Sequence, residues 1–147
     1  MPFTTCLEKQ TSLIKKISSL SQKKDIYKEI ISLGEHLPTF NEDWIISKNR
    51  VHGCQSLTYL HSEKKNSVIL FFAHSNALIS AGMAALLLWI YNNEKAETIL
   101  LCPPHFIKEL NLTNLLSPGR SNGLLSIHLE MKKRALHFLT SSNEETM

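Results

Sequence analysis

Apolar residues recur at helical spacing through the first part of the chain. Leu7, Leu13, Ile14, Ile17 and Leu20 fall mostly at three- and four-residue steps, with lysines on the other side. Asp25-Ile26-Tyr27 through Ile30, Ile31 and Leu33 repeats the pattern, so two helices are predicted, with Gly34 as a C-cap and Pro38 as a stop. Residues 38–50 have no period and read as a surface loop anchored by Phe40 and Trp44. Leu57–Leu60 and Ser67–Phe72 are strand candidates, and the polar run 61–66 (HSEKKN) between them reads as the turn of an antiparallel hairpin. A long apolar helix follows over residues 77–91, with Ser75 or Asn76 as its cap and Asn92-Asn93 as its end. Pro103-Pro104 breaks the chain before a short helix through Phe106, Ile107 and Leu110, and residues 112–123 are turn-rich. The last helix is expected from about Gly123 to Leu139, with Ile127, Met131, Leu136 and Leu139 inward and a basic outer face. Residues 140–147 read as a frayed tail. Helices on a small antiparallel sheet make an α/β chain of the α+β kind, in two layers.

Length supports one domain over residues 1–147, at roughly 100–200 residues per domain. With 43% hydrophobic and 20% charged residues, the chain can build an ordinary core and wholesale disorder is excluded. The net charge of +3 is small and scattered, and only Lys132-Lys133-Arg134 forms a triplet, so a nucleic-acid partner is not expected. Residues 77–91 fall short of the roughly 20 needed to span a bilayer, and no secretory leader is visible, so no membrane partner is expected either. Three cysteines, none in a C-x-x-C, suggest free thiols in a reducing cytoplasm. Whether the chain forms a homodimer stays open.

Metal and phosphate signatures are missing. The seven histidines lack ligand spacing, His128 and His137 lie on different azimuths of the last helix, and the glycines are isolated. Cys6 and Cys102 read as small hydrophobes. Cys54 sits at the mouth of a strand, after Gly53 and among His52, Gln55 and Ser56. Glycine there admits a positive φ and a close approach, and the polar neighbours offer donors to a thiolate, the nucleophilic form. Small strand-mouth cysteines are also often structural, so both readings stand on these residues alone.

The run Val51-His52-Gly53-Cys54-Gln55-Ser56-Leu57-Thr58-Tyr59-Leu60 resembles the V-x-G-C-x-S-x-V-W-L signature of the SufE family. Further stretches are similar in the same order. Leu33-Gly34 and Leu37-Pro38 resemble the family's L-G…L-P helix end, and His74-Ser75-Asn76-Ala77 leading to Gly82-Met83 resembles D-S-D-A…K-G-L. Leu112 through Leu116-Ser117-Pro118-Gly119-Arg120-Ser121-Asn122-Gly123-Leu124 resembles L-x-x-x-L-x-P-x-R-x-x-G-L. The likeness covers about residues 25–138. It implies a sulfur acceptor that takes persulfide sulfur onto Cys54 from a SufS-type, pyridoxal-phosphate-dependent cysteine desulfurase, stimulates that enzyme, and delivers sulfur to an iron–sulfur scaffold complex. It also implies a fold similar to IscU-type scaffolds and no cofactor of its own, since pyridoxal phosphate belongs to the partner. Gly53 would give the partner's loop room, and His52, Gln55, Ser56, His74 and Arg120 would serve as partner contacts or loop supports. Cys54 would be sheltered by Leu57, Tyr59 and Leu60 until docking. His74 and Asn76 depart from the family's acidic residues, and Gly119 stands where a serine is common, which implies a looser loop. Two rivals are an independent peroxidase or hydrolase using Cys54 with His52, and a scaffold that itself holds a cluster, for which three unrelated cysteines are a poor ligand set.

Overall fold

The computed structural model describes residues 4–141; the expected tail beyond Ser141 lies outside the described residues. Seven α-helices and one two-stranded antiparallel sheet follow in the order α1 (Thr4–Ser18), α2 (Lys23–Glu35), β1 (Thr58–Lys65), β2 (Val68–Ser75), α3 (Leu78–Tyr91), α4 (Ala96–Leu101), α5 (Phe106–Glu109), α6 (Leu112–Leu115) and α7 (Pro118–Thr140). The α+β expectation therefore holds. The apolar helix α3 is the spine: Met83, Leu86, Leu87, Ile90 and Tyr91 are almost wholly buried between α2, the hairpin, α1 and α7. No helix among the described residues is long and apolar enough to cross a membrane.

Several boundaries differ from the sequence expectation, each for a tertiary reason. The polar run 61–66 is mostly strand: β1 continues to Lys65 and pairs Lys65 with Val68, leaving a two-residue turn at Asn66-Ser67. Asn66 takes a left-handed φ of 59°, which a tight hairpin needs. His61 and Ser62 are buried because Trp44 stacks on the His61 ring at 3.9 Å and Arg134 donates to Ser62 Oγ at 3.2 Å. Phe40 does anchor the 38–50 loop, packing edge-on to Trp44. Gly34 is not a cap but lies inside α2, where a Cβ would stand 2.5 Å from the Gly82 backbone nitrogen; the two glycines let α2 and α3 cross in backbone contact. Neither Ser75 nor Asn76 is the N-cap of α3. Ala77 holds that position, while Ser75 Oγ accepts the Ala77 N–H and Asn76 Oδ1 accepts the Leu57 N–H.

Helix α7 starts earlier than expected, at Pro118, because Ser117 Oγ accepts the Arg120 N–H and proline suits the first turn. Helix α6 interrupts the stretch read as turn-rich, and α4 occupies residues for which no element was expected. The inward face of α7 also shifts. Leu136 and Leu139 are about half exposed, and Leu124, Ala135 and Phe138 fill the core beside Ile127 and Met131. Arg134, expected on a basic outer face, is 1% exposed; it pairs with Glu130 at 3.0 Å and donates to Ser62 and to the Lys48 carbonyl. Its charge is compensated, which makes the burial tolerable.

Two of the expected free thiols are paired: Cys6 and Cys102 form a disulfide across 96 residues, with Cα atoms 6.7 Å apart. Helix α1 lays Cys6 against the end of α4, a juxtaposition that no local pattern encodes. Unpaired cysteines therefore no longer speak for a reducing compartment.

The Cys54 cleft

Cys54 is the free cysteine, half-buried in the segment between Val51 and β1. The segment is held at both ends. Val51 N–H donates to the Thr58 carbonyl at 2.8 Å, and Arg50 bridges to Tyr59. Gly53 turns the chain with a φ of 97°, and a Cβ there would stand 2.3 Å from Ser126 Oγ on α7. Glycine is thus needed both for the backbone conformation and for the close approach.

The thiol faces a cleft of about 140 Å³ lined by Gln55, Ser56, Ala77, Ile79, Ser80, Met83, Gly119, Arg120 and Gly123. The expected shelter of Leu57, Tyr59 and Leu60 is not what forms it. Leu57 is 43% exposed and Leu60 points into the core, so α3 and the start of α7 enclose the sulfur instead. The Cys54 Sγ donates to the Gly123 carbonyl at 3.7 Å. Gly119 does not loosen the loop, since its missing side chain makes room for Gln55, whose Nε2 would lie 2.2 Å from a Cβ there.

Burial pushes the Cys54 thiol above its ordinary value of 9.0, because the charged form loses solvation; a hydrogen bond from the Thr58 side chain pulls the other way. Thr58 belongs to a group of hydroxyls. Ser56 Oγ donates to Ser80 Oγ at 2.7 Å and lies 3.2 Å from Ser75 Oγ, which is 3.0 Å from Thr58 Oγ1. Arg120 is the one charged side chain in the cleft lining. Its Nη1 donates to the Tyr27 hydroxyl, and its guanidinium lies 5.5 Å from the Tyr27 ring centroid, so α2 holds it beside the cleft.

The fold thus brings Cys54, Gln55, Ser56 and Arg120 together, with Gly53 at the turn. It does not bring His52, which is exposed and outside the cleft lining, or His74, whose ring stacks on Phe40 at 5.7 Å and lines a separate depression. A Cys54–His52 couple has no support in this geometry. Thr58, Ser80, Met83 and Tyr27 are site residues that reading along the chain passed over, because their proximity depends on α2, α3 and the hairpin meeting. No group of three or more histidine, cysteine or acidic side chains among the described residues could hold a metal ion, and only Cys54 brings a thiol to the cleft, so the cleft does not fit a cluster-holding site.

Comparison with known proteins places this geometry. The "Cysteine desulfuration protein SufE" of Wigglesworthia glossinidia brevipalpis is 35% identical over 130 residues, covering 86% of this chain and 90% of that one. The "Sulfur acceptor protein CsdE" of Escherichia coli is 30% identical over 125 residues, covering 84% of each. "SufE-like protein 1, chloroplastic/mitochondrial" of Arabidopsis thaliana is 29% identical over 141 residues, and this chain spans only 38% of its length. The solution structure of a hypothetical protein from Thermus thermophilus shares the fold, with a TM-score of 0.76 at 22% identity over 90% of this chain and 97% of that one. Residues 11–135 match the family described as SufE, Fe–S metabolism associated domain, a range that takes in every residue lining the cleft: the chain belongs to the SufE family.

Proposed function

We propose that this protein is a sulfur acceptor: Cys54 takes the outer sulfur of a persulfide on a pyridoxal-phosphate-dependent cysteine desulfurase of the SufS type, stimulating that enzyme, and hands the sulfur to an iron–sulfur scaffold complex. The observation that carries this is a single free thiol, half-buried in a small cleft, in a chain of this family. The printed names of two relatives, a cysteine desulfuration protein and a sulfur acceptor protein, agree with it.

The chemistry balances without a redox partner. The Cys54 thiolate attacks the outer sulfur, the donor's S–S bond breaks, a new S–S bond forms at Cys54, and the donor leaves as a thiolate. The proton of the Cys54 thiol goes to water before the attack. A persulfide is open to reduction by other thiols, and the cleft withholds it from them. With no other free cysteine beside it, nothing within the cleft resolves the persulfide to sulfide. The pyridoxal phosphate resides in the desulfurase, and the reaction needs Cys54 reduced, a condition that a cytoplasmic setting supplies. Incubation with a cysteine desulfurase and cysteine, followed by intact mass, is the test. The protein should gain the mass of one sulfur atom and Cys54→Ser should gain none. Sulfur retained by Cys54→Ser would overturn the assignment.

A further inference from the structure

Helix α7 turns a row of leucines outward. Leu125, Leu129, Leu136 and Leu139 are 50%, 53%, 52% and 46% exposed, four of the nine large apolar side chains left exposed among the described residues. At 3.6 residues per turn they share an arc of about 80°, on which Lys132 also falls. With Lys132 completing the series, they follow one another at steps of four, three, four and three residues, the spacing of a seam that packs against another helix. Single exposed leucines need no explanation, but a continuous stripe marks a surface that meets something.

The stripe begins beside the sulfur site. A groove of about 310 Å³ runs between the Gly53 turn and α7, lined by Gly53, Asn122, Leu125, Ser126 and Leu129, so two of the leucines border the segment that carries Cys54. The charge along the stripe has one sign. Lys132 lies within the arc and the exposed Lys133 beside it, and neither enters an ion pair among the described residues. Glu130, the only acid on α7, is on another side of the helix and is taken by Arg134. At the far end Leu139 shares a groove of about 400 Å³ with Lys64, Lys95 and Glu97, again with a positive balance.

A second copy fits this face poorly. Two α7 helices packed antiparallel about a two-fold axis would pair Leu125 with Leu139 and Leu129 with Leu136 across the axis, and would set Lys132 against its own symmetry mate. Like charges in the middle of a seam oppose pairing, whereas carboxylates there would complete it. We propose that the outer face of α7 is a docking surface for the sulfur-donating cysteine desulfurase, which meets it with an apolar strip carrying carboxylates opposite Lys132 and Lys133. The identity of that partner rests on the sulfur-acceptor reading. A donor's persulfide has to reach the half-buried Cys54, and the stripe ends at the Gly53 turn next to it. The leucines supply the apolar area of the contact, and the lysines select the partner and set its register.

The test is the affinity of a SufS-type cysteine desulfurase for this protein, measured by calorimetry on Cys54→Ser so that no sulfur moves. Leu129→Ser combined with Leu136→Ser should weaken binding by about tenfold or more, as the loss of central apolar contacts does. Lys132→Glu combined with Lys133→Glu should weaken it comparably, and added salt should weaken binding of the parent but not of this variant. Leu101→Ser, which removes an equally exposed leucine from α4, should bind like the parent. Thermal melts show which variants are folded, and the lysine pair decides if the leucine pair is not. Unchanged affinity in the folded variants overturns the proposal, as does a parent that binds no desulfurase. So does a parent dimer in sedimentation that the leucine pair dissolves, or binding of the parent to phosphatidylcholine–phosphatidylserine vesicles that the same pair abolishes. Sulfur uptake is scored apart, with Cys54 intact. Binding that depends on the stripe but brings no uptake removes the acceptor reading and leaves the docking surface, and uptake with binding that ignores the stripe does the reverse.

Discussion

Cys54 and His128 show how one side chain's surroundings set its protonation. The Cys54 thiol is raised by burial, so it is mostly neutral near pH 7 and reacts slowly until something exposes it. Alkylation of the free protein should therefore be slower than that of an unstructured cysteine, and it should still be climbing beyond pH 9.0, where an ordinary thiol's rate levels off. Adding the desulfurase should speed it, and equal rates for the free protein and a small thiol would rule out the sheltered thiol. The native state holds this proton more tightly than the unfolded chain does, so its stabilising contribution is present below pH 9.0 and is lost above it. His128 is the opposite case. It is 8% exposed, stacked on Tyr91 with ring centroids 4.9 Å apart, and its Nε2 has no hydrogen-bond partner. Burial first, and Lys132 second, lower it from 6.5 to about 4. Stability from this neutral ring is complete above pH 6.5 and declines as pH falls toward 4. His128→Phe should keep the stack and flatten that acid limb in thermal melts at stepped pH; an unchanged limb would show that His128 does not govern it.

At the scale of elements, glycines mark where backbones meet, and they differ in what stands opposite. A Cβ on Gly82 would come within 2.3 Å of the Ile30 carbonyl oxygen, so α2 and α3 would have to separate along the crossing that buries most of α3. Gly82→Ala should cost about 3 kcal/mol, at the upper end of ordinary overpacking. Gly119 faces only the movable amide of Gln55. Gly119→Ala should cost less than about 1 kcal/mol, as surface changes usually do, while displacing Gln55 from the cleft. Denaturant melts of both variants decide the matter, and the reverse order of cost would mean that the crossing is not tight. Helix α7 shows the same logic with charge: buried Arg134 joins it to Ser62 of β1 and to the Lys48–Asn49 turn, which fixes the approach to the Cys54 segment.

Across the whole molecule, helix α1 is latched to the far end of the fold. Besides the Cys6–Cys102 disulfide, Gln10 Nε2 donates to the Pro103 carbonyl at 2.8 Å, and Gln10 Oε1 accepts the Phe106 N–H at 3.0 Å. Lys9 pairs with the buried Glu94 at 2.6 Å. A cross-link closing a loop of about 100 residues restricts the unfolded chain by up to about 4–5 kcal/mol in the chain-entropy account. Cys6→Ala combined with Cys102→Ala should lower stability by about 3–5 kcal/mol in denaturant melts, including the loss of buried sulfur contacts. Sulfur uptake at Cys54 should persist, because none of the latch residues lines the cleft. Loss of uptake in a folded double variant would instead couple the latch to the site.

What the sequence determined by itself is whatever depends on neighbours along the chain. Helical spacing located α1, α2, α3 and the body of α7, the hairpin was legible from its apolar runs, and Gly53-Cys54 within its motif marked the thiol and the family. Tertiary structure decided the rest. The polar residues 61–65 became strand because Val68–Phe72 and Trp44 were there to pair and stack with them. Leu136 and Leu139 turned outward and Arg134 inward because the face of a long helix is chosen by what packs against it, and Ser62, Lys48 and Glu130 supplied the partners that a buried charge requires. The disulfide and the linked hydroxyls join residues up to 96 positions apart, and the energy of such contacts exists only once the helices carrying them have met. Cys54 was visible as a residue; its cleft was not, because α3 and α7 build most of its walls.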